Sequence, residues 1–335
     1  MCPLARIARQ ALLSSRALAG AVLALSSLIP CSTAQAEVWP SKPIRWIVPY
    51  APGGPTDLAS RALAQQLSIA LRQPVLVENR AGGGGTVGMN ALAKANPDGH
   101  TIGTADNALV FTAALHASLP YNPERDLVPL AQYGVVPFIV VVQSGVEAHR
   151  LQDLIALARA RPGQLTYGTP GIGSPHHLYM ELLKSRTGID IVHVPYKGGA
   201  PLVQDLAAGR ITMSTSNWGL VSALIRAGTL RPLAVTGAQR IATLPDIPTI
   251  AESGVSDFVA YAWQGVIAPA GVAPEVMSSL SQILLQVIDS PETRRSFADL
   301  GMTPTPLGAA EFAQFIRNER MRWLPLIKSL AITAD

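Results

Sequence analysis

The chain has 335 residues, 48% of them apolar and 14% charged, with a formal net charge of +4. That balance suits a compact globular protein and excludes a disordered one. Three of the 26 basic residues and none of the 22 acids fall in the first 36 positions, so the rest of the chain carries only +1. Nucleic-acid binding, which needs a basic face, loses its support.

Those first 36 residues read as a secretory leader. Arg6, Arg9 and Arg16 give a positive start, residues 17–29 form an apolar run, and Ala34-Gln35-Ala36 is a small-residue cleavage site. The run is too short to span a membrane, and cleavage is predicted after Ala36. Pro30 makes Cys31 a poor lipid-anchoring site. Cys2 and Cys31 are the only cysteines, so the exported chain is expected to lack disulfides, thiolate nucleophiles and cysteine metal sites.

The first element is a short apolar strand that starts at Ile44. It runs through Pro52-Gly53-Gly54 into a helix opening at Pro55, Thr56 or Asp57 and ending at Leu71. Proline suits the first helical position, and Thr56 or Asp57 can cap the free amides. Gly53 and Gly54 let the backbone approach a ligand, and the helix dipole makes the turn a carboxylate or phosphate site. A strand at 74–78, a helix at 86–95, a strand at 101–104 and a helix from Asn107 follow. This βαβα rhythm predicts a mainly parallel sheet flanked by helices. The long β-prone run at 128–142, broken by Pro137, can carry the chain into a second lobe.

The rhythm then restarts, with helices at 151–161, 174–186, 200–208 and 219–226. They alternate with strands at 165–168, 191–194, 211–215 and 231–235. Residues 261–268 form a return crossing, and helices at 274–289, 291–300 and 309–330 close the chain. The expected fold is α/β with two lobes, each a mainly parallel sheet with flanking helices, joined by two crossing strands. The boundaries are 37–140 plus 262–335 for lobe 1 and 141–261 for lobe 2, with a small-molecule cleft between them.

The second lobe repeats the glycine-turn design in Gly168-Thr169-Pro170-Gly171-Ile172-Gly173-Ser174-Pro175-His176-His177-Leu178. Ser174 is placed as N-cap and Pro175 as the first helical residue. Two such helix starts across a cleft would hold a dianion, or one carboxylate between them, with Thr169 and Ser174 adding hydroxyls. Two enzyme readings compete. Gly83-Gly84-Gly85-Thr86-Val87-Gly88 fits G-x-G-x-x-G with Asp106 eighteen residues on, a dinucleotide fingerprint, although residues 78–81 lengthen its turn. Ser174 and His177 could form a nucleophile and base, but the chain has His176 where a nucleophile elbow needs glycine. The six histidines lack ligand spacing with acids, so no metal is expected. Trp218 and Trp263 could wall the cleft.

The chain resembles the Bug-type periplasmic receptors of tripartite tricarboxylate transporters. The resemblance rests on residues 39–44, 49–57, 77–82, 96–99, 171–178, 191–198, 244–249 and 268–271, collinear over nearly the whole exported chain. It implies a type II periplasmic binding fold that closes on a carboxylate held by main-chain groups, hydroxyls and water. Carried over by motif, the ligand contacts are Ala51, Pro52, Gly53, Gly54 and Asp57, with Thr104 and Asp106 nearby. From the second lobe come Thr169, Gly171, Gly173, Ser174 and His177, with Lys197 and Asn217. No catalytic residue, cofactor or metal is implied. The implied partner is a membrane permease, or a sensor kinase, and the expected state is a periplasmic monomer. Ala51 replaces a common second proline. Ser216-Asn217 stands where relatives often have Asp-Asn, which removes a partner for an ammonium group and favours a dicarboxylate, or an aromatic or other monocarboxylate, over aspartate or glutamate.

Overall fold

The structure is a computed structural model that describes residues 39–116 and 118–332. The leader and its cleavage site lie outside the described residues. Lys42–Asp335 forms one compact unit. Of the preceding unit, the three described residues carry no helix or strand.

Strand β1 (Ile44–Val48) leads to α1 (Pro55–Leu71), β2 (Val75–Asn79), a short turn at Gly83–Gly85, α2 (Thr86–Ala93), β3 (Thr101–Asp106), α3 (Ala108–Leu115) and β4 (Leu127–Pro137). The chain crosses at Phe138 into β5 (Ile139–Gln143), α4 (Leu151–Ala160), β6 (Thr166–Thr169), α5 (Pro175–Thr187), β7 (Val192–Pro195), α6 (Gly199–Ala207), β8 (Met213–Ser216), α7 (Trp218–Arg226) and β9 (Leu230–Val235). It returns through β10 (Tyr261–Pro269) and ends with α8 (Pro274–Asp289), α9 (Pro291–Asp299), β11 (Thr303–Gly308) and α10 (Ala309–Ser329). Two sheets result, ordered β11-β4-β10-β3-β1-β2 and β7-β6-β8-β5-β9. This is the two-lobed α/β arrangement expected.

Both sheets are mixed rather than mainly parallel. The strands β2-β1-β3 and β7-β6-β8 run parallel, as helix crossovers require. The crossing strands β4, β5 and β10 pair antiparallel with their neighbours. A chain that leaves one sheet for another and returns enters each in the opposite sense. Strand β11 was not expected, because Pro304 and Pro306 argue against a strand. At the sheet edge a missing N–H costs nothing when it points outward, and the pairing with β4 shifts register between Pro304 and Leu307.

The apolar runs behave as composition dictates. Ile44, Trp46, Ile47 and Val48 are fully buried in β1, and Leu63, Ala64 and Leu67 turn the inner face of α1 onto the sheet. Two groups pin the crossing. Asn107 accepts from the Trp263 amide at 3.0 Å and donates to Tyr179 Oη at 3.3 Å and the Tyr261 carbonyl at 3.2 Å. It thereby ties the start of α3 to α5 and β10. Beside it, Phe138 packs on Tyr179, Tyr179 lies 5.3 Å from the ring of Trp323 in α10, and Trp323 meets Phe111 edge-on at 5.5 Å. One aromatic column therefore runs from the second lobe into the first.

Candidate functional site

The two lobes repeat one plan. In each, three adjacent parallel strands end at the same edge, and each chain continues into a helix whose N-terminus lies at that edge. Parallel-strand ends are where α/β sheets bind ligands. Every residue expected at the site lies on one of these edges. Ala51 to Gly54 and Asp57 follow β1, and Thr104 and Asp106 end β3. Thr169, Gly171, Gly173, Ser174 and His177 follow β6, Lys197 follows β7, and Asn217 follows β8. The lobes also touch, at the C-terminal end of α3 and at the loop before β11. A Cβ on Gly173 would stand 2.7 Å from Leu115 Cδ1 of α3, and one on Gly301 would stand 3.7 Å from the Cβ of Trp218.

The first turn is organised by Asp57, which is 1% exposed. Its carboxylate accepts from the Gly53 amide (2.9 Å), Arg61 Nε (2.9 Å) and Asn79 Nδ2 (2.8 Å). Asn79 also donates to the Tyr50 carbonyl at 3.0 Å. Burial alone would raise this carboxyl, but Arg61, the Gly53 amide and Asn79 outweigh it and hold it below the usual range. Asp57 therefore folds the turn and does not point its charge at a ligand. Neither Thr56 nor Asp57 caps the helix by its side chain. Gly54 is the N-cap and brings no oxygen. The Thr56 and Asp57 amides are left without a partner in the helix, an anion-binding arrangement. Ala51, Pro52 and Gly53 are exposed around them.

Thr104 lies behind the turn, fully buried. Its hydroxyl accepts from Trp46 Nε1 at 2.8 Å and is 2.7 Å from Ser60 Oγ. Asp106 is half-buried at the strand end and accepts from the Ala108 amide at 2.8 Å and from the Tyr50 hydroxyl. Burial pushes its carboxyl up, partly offset by those two donors.

In the second turn Ser174 accepts from the His177 amide at 3.3 Å, as an N-cap should, and donates to the Gly171 carbonyl at 2.7 Å. His177 Nδ1 accepts the Gly173 amide at 3.1 Å, and Thr169 Oγ1 is 2.7 Å from His193 Nε2. The two imidazoles stack with centroids 3.9 Å apart, and Tyr167 lies 4.9 Å beyond His193. Sequence spacing hid this pair, which only the β6–β7 pairing brings together. Lys197 is exposed. Asn217 caps α7 through the Leu220 amide at 3.1 Å, which leaves its Nδ2 for other use.

The enzyme readings find little here. No hydrogen bond joins Ser174 Oγ to the His177 ring, whose Nδ1 already serves Gly173. Gly88 packs its α-carbon against Pro49, where a Cβ would stand at 2.8 Å, so this glycine serves helix–strand contact. Among the described residues no three His, Cys, Asp or Glu side chains are placed to hold a metal. Trp263 is fully buried in the core, whereas Trp218 is half-buried at the start of α7. An apolar cavity of about 840 Å³ lies away from the strand ends, bordered by Leu127, Ile267, Ile316, Arg320 and Met321. It lacks the converging amides of the turns.

The buried histidines set an acid limit. Burial lowers His176 to about 4. Burial, and then the neighbouring His177, lowers His193 to about 4, and burial also lowers His177. The folded state keeps these rings neutral, whereas the unfolded chain protonates them near 6.5. Between those values the unfolded chain binds more protons, so stability is complete above about pH 6.5 and falls toward pH 4. We expect Tm to drop over this window. His176 stacks on Phe138 at 4.2 Å and its ring nitrogens have no partner, so His176→Phe should make the drop shallower. A variant with the wild-type slope would remove His176 from the effect.

The sequence pattern of the Tripartite tricarboxylate transporter family receptor matches residues 59–332. Protein BugT of Bordetella pertussis is 38% identical over 295 residues, which is 88% of this chain and 90% of BugT. An R. palustris protein solved with adipate is 33% identical, with TM-score 0.76 over 88% of this chain and 99% of that one. MatC from Rhodopseudomonas palustris with bound malate is 26% identical, with TM-score 0.72 over 86% of this chain and all of that one.

Proposed function

Because the chain belongs to the tripartite tricarboxylate transporter receptor family, we propose that it is a periplasmic solute receptor for a small carboxylate. It captures the solute between its lobes and presents it to a tripartite tricarboxylate-type permease. The lobes are residues 37–140 with 262–335, and 141–261. The protein acts as a monomer, without cofactor and without catalysis.

The observation that carries this reading is the glycine turn at the strand ends of each lobe, with uncapped amides at Thr56 and Asp57 in one and at His176 in the other. Backbone amides at a helix start bind a carboxylate without a cationic clamp. Ala51, Pro52, Gly53 and Gly54 would form the first wall. Gly171, Gly173 and Ser174 would form the second, with Lys197 and Asn217 at its rim and Thr169 and His177 behind it. A ligand that touches both walls stabilises the closed form, which is the signal a permease reads. Adipate and malate in two relatives agree with a carboxylate ligand.

The test is a thermal-shift screen of the protein against mono- and dicarboxylates, amino acids and nicotinamide cofactors. A rise in Tm with a carboxylate and no turnover supports the receptor. A rise with a nicotinamide cofactor alone would overturn it. A second check uses Gly54→Val. Gly54 has ordinary φ of −76° and a Cβ there would meet the Ala51 carbonyl oxygen at 3.9 Å, an ordinary contact, so the variant should fold. Its branched side chain would cover the amides, and we expect binding to weaken at least tenfold while Tm falls only a few degrees. Unchanged affinity would exclude the first turn.

A further inference from the structure

The carboxyl of Asp106 is out of place in a site for an anion. Its position follows from sheet register. Thr104, two residues earlier on the same strand face, meets Ser60 in the second turn of α1. Gln264 stands directly opposite Asp106 in β10, so the two side chains leave the sheet on one face. Gln264 Nε2 donates to Thr56 Oγ1 at 2.8 Å, at the start of α1. Asp106 is thus level with the first turn of that helix, beside the uncapped Thr56 and Asp57 amides.

The neighbours of this carboxyl are hydroxyls and amides. It accepts from the Ala108 amide and from Tyr50, both donors that suit the ionised form. The titratable groups within its electrostatic reach are Tyr50, Tyr121, Tyr133 and Tyr179. Among the described residues no lysine, arginine or histidine pairs with it. Each oxygen of a carboxylate can accept two hydrogen bonds, so two donors leave lone pairs for a ligand. A half-buried carboxylate with no counter-charge costs energy, unless the ligand brings one.

Building on the receptor reading above, we infer that Asp106 is an ammonium subsite and that the ligand is an amino-carboxylate. The ligand carboxylate lies on the helix amides, and its ammonium meets Asp106 and donates to the free lone pairs. This assigns the first lobe the role that Ser216 cannot play in the second. A plain dicarboxylate would instead place two negative charges beside a third. The expectation from Ser216, that amino acids are disfavoured, is thereby reversed.

The test uses matched ligands that differ at one position. These are succinate, malate and aspartate; glutarate, 2-hydroxyglutarate and glutamate; and phenylpropionate, phenyllactate and phenylalanine. Affinities are measured by calorimetry on the wild-type protein and on Asp106→Asn, with Asp106→Ser as a smaller replacement. In at least one series the amino member should bind ten or more times tighter than the plain acid. Both variants should reduce that ratio to threefold or less while the plain acid binds no worse. Plain acids that bind as well as their amino partners in every series overturn the inference and leave the receptor standing. An amino preference that survives both substitutions also overturns it. No binding in any series overturns both readings.

Discussion

Asp57→Ala should weaken ligand binding on the order of 100-fold while leaving a folded but weakened protein. The side chain is the common acceptor for the Gly53 amide, Arg61 and Asn79. Its loss frees three donors at once, and Asn79 is left with only the Tyr50 carbonyl to hold it. Unmet donors cost about 1–3 kcal/mol each when buried. Arg61 is 46% exposed and Gly53 lies on the exposed turn, so both regain water and the total should be about 1–2 kcal/mol. The turn that presents the Thr56 and Asp57 amides would no longer be fixed, and affinity should fall on the order of 100-fold, about 2.7 kcal/mol. Asp57→Asn keeps the shape but lacks the charge, and should fall between. Calorimetry with the best ligand from the screen checks this. Wild-type affinity in Asp57→Ala would mean that the turn holds itself.

Asn107→Ala should be the more destabilising change. The residue is 2% exposed and serves three groups on two other elements. Truncation strands the buried Trp263 amide and removes the donor to the Tyr261 carbonyl. A cost of about 3 kcal/mol follows, or roughly 6–10 °C in Tm for a chain of this size. Because Asn107 joins α3 to α5 and β10, the variant should also change ligand affinity without touching ligand. A loss of stability with unaltered affinity would restrict Asn107 to packing.

Much of this architecture was legible in the sequence for local reasons. Ser174 and Pro175 announce the start of α5, and the strand–glycine–helix pattern announces both turns. What was not legible depends on pairing across distance. The mixed strand directions follow from the crossings, and β11 hides behind two edge prolines. Asp57 reads as a helix cap, yet its partner Asn79 lies 22 residues on. His177 and His193 look unrelated until β6 and β7 pair. Asp106 looked like part of a nucleotide fingerprint, and only the register opposite Gln264 brings it to the start of α1.

The aromatic column at the crossing gives the protein an optical report of its own state. Trp323 sits on a first-lobe helix with its indole against Tyr179 of the second lobe. Any rotation of the lobes alters that contact and the polarity around the ring. Excitation at tryptophan wavelengths should then follow ligand capture directly, with no attached dye. Trp323→Phe should silence the signal while preserving an aromatic ring in the column.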